Sequence, residues 1–370
     1  MNPRRRQWLQ QMAGAATAGL APTAWSQAAP DGSVQRGRVL VFPRDHGTHL
    51  AARTEWWYAT GWLAEREGAA PSHGFQVTFF RSRTGLAQAN PSRFAARHLL
   101  FAHAALTTLA DGRHRHDQRL ARWSGAPGAV LGEADTADGQ VRIGDWRLQR
   151  DAAGWHAQVP AQGFSLMLDM APTQPLLLQG DAGFSQKGPD PRQASHYYSE
   201  PQLDARARML PGAPGGQARG RAWMDHEWSD ELLHPQAVGW DWIGMNLFDG
   251  SALTAFVLRR ADGSAVWAGG SHRSAGQRAR SFQADAVHWT PGRRWLSPGT
   301  GANYPVQWTL ATPVGRFSVR ALADAQELDG RNSTGTVYWE GLSELLDESD
   351  RRVGLGYLEM TGYAGVLRLG

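Results

Sequence analysis

The chain of 370 residues contains no cysteine and only one lysine, Lys187, against 37 arginines. Without cysteine there can be no disulfide, no thiolate metal site and no lipid-modified cysteine, so stability must come from packed cores. Charge is modest at 19% of residues, and the net charge of +4 is unevenly spread. Arg4, Arg5 and Arg6 stand in the first 28 residues without an acid, leaving 35 cations against 34 acids, a balance of +1, for the remainder. A nucleic-acid partner calls for a concentrated basic surface, which that balance does not offer. No run approaches the ~18–20 apolar residues that would span a bilayer. There is no Gly-x-Ser-x-Gly elbow and no phosphate-binding glycine loop, which excludes a standard serine hydrolase and the common nucleotide folds. His46 with His49, and His114 with His116, form pairs lacking a third ligand, so neither a metal nor a cofactor is expected. The length suits one large or two ordinary domains.

What is present begins with an address. Arg4-Arg5-Arg6-Gln7-Trp8-Leu9 precedes a short, weakly apolar stretch over 12–21, and Ser26-Gln27-Ala28 offers a small-x-small cleavage site. Paired arginines before an aromatic and a leucine resemble a twin-arginine export signal over residues 1–28, which predicts a periplasmic or secreted protein. An amphipathic N-terminal tail is the alternative.

The body reads as β-structure. Phe75, Val77 and Phe79 alternate with Gln76 and Thr78, and the same period recurs at Phe164, Leu166, Leu168 and Met170 and at Trp155, Ala157 and Val159. Asp-Gly pairs at 111–112, 138–139, 249–250, 262–263 and 329–330 suggest hairpins with type I′ turns, the clearest joining 242–248 to 252–259. The 43 glycines and 20 prolines fit many short connections and disfavour long helices. Residues 92–107 fit either a helix or a strand. The break at 211–216 and an echo between Glu55-Trp56-Trp57 with Gly61-Trp62 and Glu227-Trp228 with Gly239-Trp240-Asp241-Trp242 suggest two related domains, 40–230 and 231–370. Many meandering strands favour barrels over sandwiches, because closure removes exposed edges. A barrel of about eight strands can hold a small ligand in its interior.

Chemistry concentrates in Trp223-Met224-Asp225-His226-Glu227-Trp228 and, upstream, in Ser195-His196-Tyr197-Tyr198-Ser199-Glu200. On a strand, Trp223, Asp225 and Glu227 share one face, Met224, His226 and Trp228 the other, and His196 and Tyr198 share a face of theirs. An acid beside aromatics on an inward face is desolvated, which raises its pKa and makes a proton donor near neutral pH. Equally, Asp225 and Glu227 could anchor a turn or accept bonds from buried indoles. Glu55 among Trp56, Trp57 and Tyr58 reads as core and, if buried, needs a partner such as Arg53 or Arg81.

Phe42-Pro43-Arg44-Asp45-His46-Gly47, Glu55-Trp56-Trp57-Tyr58, Gly61-Trp62, 74–81, Tyr197-Tyr198-Ser199, Asp225-His226-Glu227-Trp228, Gly239-Trp240-Asp241-Trp242, Tyr338-Trp339-Glu340-Gly341 and 356–363 resemble, in order, the secreted lipocalin-like (attachment-related) family that includes carotenoid 1,2-hydratases and predicted secreted hydrolases. The resemblance spans nearly the whole chain after residue 40. It implies an all-β chain of two lipocalin-like antiparallel barrels packed together. It further implies acid-catalysed hydration: Asp225 protonates an isoprenoid double bond, aromatic faces stabilise the cation, and water adds. Trp223 would stand beside the acid, with His196 and Tyr198 orienting the acid or the water. Glu227, Trp228, Trp240 and Trp242 would line the substrate. The hydratases carry a tryptophan at the position of Tyr198 and a tyrosine at that of Trp223, so a phenol has moved while both sites stay aromatic.

Two readings follow. The chain is either an enzyme acting on a hydrophobic isoprenoid or lipid, by hydration or hydrolysis, or a non-catalytic periplasmic lipid carrier. Its expected partner is a hydrophobic small molecule, with a membrane or transporter as its source and no nucleic acid.

Overall fold

The computed structural model describes residues 34–210, 217–231 and 233–367. The export signal expected over residues 1–28 and the Pro/Gly-rich break at 211–216 lie outside the described residues. Every extended element among them is a strand, and the two short helical turns are Arg44–His46 and Ala284–Ala286. Residues 92–107 resolve in favour of strand: His98–Thr108 sends Leu100, Ala102, Ala104 and Leu106 to one side.

The first sheet opens with a meander of Thr54–Ala64, His73–Arg83, His98–Thr108 and Arg113–Trp123. It continues through Gly132–Ala134, Gln140–Ile143, Trp146–Asp151, Gly154–Ala161 and Phe164–Ala171 to the long closing strands Ala194–Leu210 and Ala218–Ser229. The last strand pairs with the first from Thr54↔Ser229 to Ala64↔Arg219. The free ends, Arg113–Trp123 and Gly132–Ala134, curl together, giving a nearly closed barrel. The alternation of Phe75, Val77 and Phe79 points inward, where they meet Trp57, Trp146 and Trp155, all with essentially no exposure. The barrel interior is therefore packed with side chains rather than hollow, and the expectation of a ligand there does not hold.

The second sheet repeats the plan. Gly239–Leu247, Ala252–Arg259, Ala265–Arg273 and Arg280–Phe282 meander, and the last strand, Arg352–Met360, pairs with the first at Asp241↔Met360. Ile243, Met245, Leu310, Trp339 and Leu358 fill its concave side. The architecture is all-β and lipocalin-like.

Strands at the junction of the sheets are buried on both faces. In His73–Arg83 even Gln76 and Thr78 are buried, because the outer face meets the second sheet. A separate apolar cluster of Tyr58, Trp223, Trp242, Leu342 and Tyr357 fills this junction. The Asp-Gly turns differ from expectation. Gly112, Gly250 and Gly263 have positive φ, but their aspartates do not, so these are not type I′ turns. At 249–250 the Ser251 N–H donates to Asp249 Oδ1 at 2.9 Å and Leu247 N–H to Ser251 O at 2.9 Å. Aspartate caps the loop, and glycine supplies the left-handed residue that returns the chain to the strand.

Candidate active site

The closing strand Ala218–Ser229 separates two environments. Ala222 and Met224 join the barrel core, while Trp223, Asp225 and Glu227 face the second sheet. Between the sheets lies a cavity of about 280 Å³. Asp225, Glu227, Tyr197 and Lys187 line it from the first sheet, Trp240 and Trp242 from the second, and Phe80, Phe101, Phe256 and Leu258 make its walls largely apolar.

Asp225 is 3% exposed and is held by three donors. Ser199 Oγ and Trp223 Nε1 donate to Oδ1 at 2.5 and 2.7 Å, and the Tyr197 hydroxyl donates to Oδ2 at 2.9 Å. Trp242 Nε1 in turn donates to the Tyr197 hydroxyl at 3.2 Å, which fixes the phenol from the opposite sheet. Burial pushes the Asp225 carboxyl up from its ordinary 3.8 to about 7, with Ser199, Trp223 and Tyr197 opposing that rise. Near neutral pH both protonation states are populated, as acid–base work requires.

Other acids share the cavity. Glu227 Oε1 pairs with Lys187 Nζ at 3.0 Å and accepts from Ser195 Oγ. Lys187, the sole lysine, also lies 4.2 Å from the Phe256 ring centre and 4.8 Å from that of Tyr197. From the second sheet, Glu359 accepts from Trp240 Nε1 at 3.0 Å and stands opposite Glu340 in the strand register. Burial raises Glu359 to about 8, and Trp240 only partly offsets it.

Of the residues singled out from sequence, Asp225, Trp223, Glu227, Trp240 and Trp242 converge here. His196, Tyr198 and Trp228 do not. The register Ser199↔Asp225 and Tyr198↔His226 places Tyr197 and Ser199, not His196 and Tyr198, on the acid's face. Tyr198 instead bonds His46 Nδ1 at 2.7 Å, and His196 accepts from Gln35 N–H. Trp228 stacks on His49 at 3.6 Å between ring centres, on the far face of the strand. Sequence reasoning missed Tyr197, Ser199, Lys187, Glu340 and Glu359 as cavity groups. Four of these lie inside motifs already noted, and the rarity of lysine was the one signal for Lys187.

That far face carries a second polar cluster. His49, Glu55 and His226 each place one ligand-type atom within 4.8 Å of the others. Their donors and acceptors are already matched: His49 Nδ1 and His226 Nε2 bond Glu55 at 2.8 and 3.1 Å, and Arg81 Nε bonds it at 2.8 Å. Burial alone would raise Glu55, but Arg81 and the two histidines hold it well below the usual carboxylate range. The Phe42–Gly47 motif serves this cluster, with Asp45 Oδ1 3.0 Å from His49 Nε2 and the His46 carbonyl accepting from Trp57 Nε1. Arg81 is thus the partner that Glu55 needed.

Comparison with known proteins agrees with this architecture. The AttH-like family model matches residues 33–363. An AttH protein of Nitrosomonas europaea is 42% identical, with a TM-score of 0.80, over 90% of this chain and 99% of that one. Kievitone hydratase from Nectria haematococca shares the fold at 14% identity and a TM-score of 0.63, over 88% of this chain and 94% of that one. CghA does so at 16% identity and 0.52, over 92% and 95%. No curated protein sequence matches the chain. The match over nearly all the described residues and the 42% identity to the Nitrosomonas protein lead to one conclusion: the chain belongs to the AttH-like family.

Proposed function

We propose that this protein is an enzyme that adds water to a carbon–carbon double bond of a hydrophobic isoprenoid- or lipid-like ligand, with Asp225 as the proton donor. The observation that carries the reading is the placement of Asp225: a carboxyl near neutrality, sealed into the wall of an aromatic cavity and oriented by three donors. In the first step the Asp225 proton forms a new C–H bond as the π bond breaks, leaving a carbocation and the Asp225 carboxylate. The faces of Trp242, Tyr197 and Trp223 offer that cation a quadrupole, and the new carboxylate is stabilised by Ser199, Tyr197 and Trp223. Water then bonds to the cation, and the proton it sheds returns to Asp225, which closes the cycle. Kievitone hydratase, a fold neighbour, carries hydration in its name. We propose further that residues 1–28 direct the protein out of the cytoplasm.

The test is turnover against binding. Polyenes such as lycopene and bacterial lipid extracts are incubated with the protein and scanned for products heavier by one water. Asp225→Asn is expected to keep ligand binding and lower turnover by roughly 10²–10⁴-fold. Binding by both proteins with no hydrated or hydrolysed product from either would overturn the catalytic reading in favour of a carrier.

A further inference from the structure

Glu340 sits on Thr336–Leu346 in the cavity wall that the second sheet supplies. It is 2% exposed, yet neither of its carboxyl oxygens has a hydrogen-bond partner among the described residues. The Tyr58 hydroxyl, contributed by the first sheet, borders the same cavity and is also buried without a completed hydrogen bond. The Tyr58 hydroxyl and the Glu340 carboxyl are close enough for a weak hydrogen bond that bears on the ionisation of both, but the contact falls short of good hydrogen-bond geometry and leaves room for a better partner. Tyr58 stands directly across the strand pair from Asp225. Asp225, Glu227 and Glu359 all use their oxygens on protein donors. Glu340 is the cavity acid that does not.

We infer that Glu340 and Tyr58 form a hydrogen-bonding subsite for a neutral oxygen of the ligand, so that the ligand is an apolar molecule bearing a ketone, enone or hydroxyl group rather than a pure hydrocarbon. The inference rests on reading this cavity as the ligand site, not on the hydration step. No cation pairs with Glu340 among the described residues, and ionisation of the neighbouring Glu359 would set a like charge beside it. Burial and that neighbour push the carboxyl well above its ordinary range, with the Tyr58 hydroxyl only partly opposing them, so the neutral form is favoured. A neutral carboxyl presents one O–H donor and one carbonyl acceptor, and a buried group of that kind is normally satisfied. A ketone oxygen accepts from the Glu340 O–H, and a hydroxyl can in addition bond the Tyr58 phenol. A cationic ligand is disfavoured because it would bury two charges where the oxygen buries none.

Three probes with the same number of heavy atoms test this at pH 7 by quenching of tryptophan fluorescence: 2-acetylnaphthalene, 2-isopropylnaphthalene and 1-(2-naphthyl)ethylamine. The ketone is expected to bind about five- to tenfold tighter than the isopropyl compound, the worth of one net hydrogen bond. Glu340→Leu should erase that preference, Glu340→Gln should keep it through the amide donor, and Tyr58→Phe should leave the ketone preference largely intact. The wild-type comparison stands even if a variant fails to fold. Equal binding of ketone and isopropyl compound, or a preference that survives Glu340→Leu, overturns the subsite but leaves the cavity. Tighter binding of the amine assigns the wall to cations and overturns it too. Binding of none of the three would overturn both the subsite and the cavity as ligand site.

Discussion

Replacing Asp225 by asparagine separates the charge of the side chain from its shape, and the structure sets both sign and size. The folded carboxyl titrates at about 7, against 3.8 when exposed to water. Between those values the folded chain holds a proton that the unfolded chain has released, so stability falls as pH rises through the window and levels off above 7. A gap of about three pH units at ~1.36 kcal/mol each amounts to ~4 kcal/mol. Asparagine cannot ionise and escapes this loss. Its Oδ1 can still accept from Ser199 and Trp223, while its amide turns to the Tyr197 oxygen. Asp225→Asn is therefore expected to match the wild type near pH 4 and to exceed it by ~4 kcal/mol at pH 8. Unfolding entropies of ~2.1 cal/mol/K per residue over 370 residues make that about 5 °C in midpoint. Thermal and urea denaturation of both proteins at pH 4, 6 and 8 reads it directly; buried acids that do not sense Asp225 cancel in the difference, and Glu359, which its charge helps raise, adds to the gap at pH 8. A stability difference that does not change with pH would refute the reasoning, because Asp225 would then ionise as it does in water.

Three further outcomes are expected. Arg81→Met strands the fully buried Glu55 carboxylate and should cost ~3–5 kcal/mol in urea denaturation, with Glu55→Gln added to it restoring part; a loss below ~1 kcal/mol would contradict the pairing. Lys187, 6% exposed and paired with Glu227, should resist an amine-reactive reagent in the native protein and react only on unfolding, as followed by peptide mass spectrometry; fast native labelling would remove it from the cavity wall. Substituting lysine for Arg4, Arg5 and Arg6 together should retain the precursor in the cytoplasm of a bacterial host, and unchanged export would rule out the twin-arginine reading.

The sequence told strand from helix, and face from face, wherever a period of two ran long enough. Phe75, Val77 and Phe79 needed only their own spacing to be placed inside a barrel. Parity within Trp223 to Trp228 likewise put Asp225 and Glu227 on one face and set Trp228 against them. What spacing could not supply was the register between strands. His196 and Tyr198 share a face, as read, but the pairing of Ser199 with Asp225, 26 residues downstream, is what turns that face away from the acid. The location of the cavity was hidden for a similar reason. Glu340 and Glu359 lie in the second sheet, over 100 residues from Asp225, and no local pattern says that the outer faces of two barrels will meet.

Because the cavity lies between the sheets, its shape depends on how closely they approach, and Gly244 sits at that contact. A Cβ there would stand 2.4 Å from the Trp242 ring and 3.0 Å from that of Trp223. Gly244→Ala must therefore displace Trp242, whose indole N–H holds the Tyr197 hydroxyl against Asp225. Overpacking of this kind costs ~1–3 kcal/mol, and it acts at the junction cluster rather than in either barrel core. With Trp242 shifted, Tyr197 loses one of its two anchors and the apolar wall loses an indole, so affinity for 2-acetylnaphthalene should fall while far-ultraviolet circular dichroism stays unchanged. If Gly244→Ala binds the probe as well as the wild type, the Trp242–Tyr197–Asp225 chain is not what shapes the cavity, and an acid oriented from both sheets is the wrong account of the site.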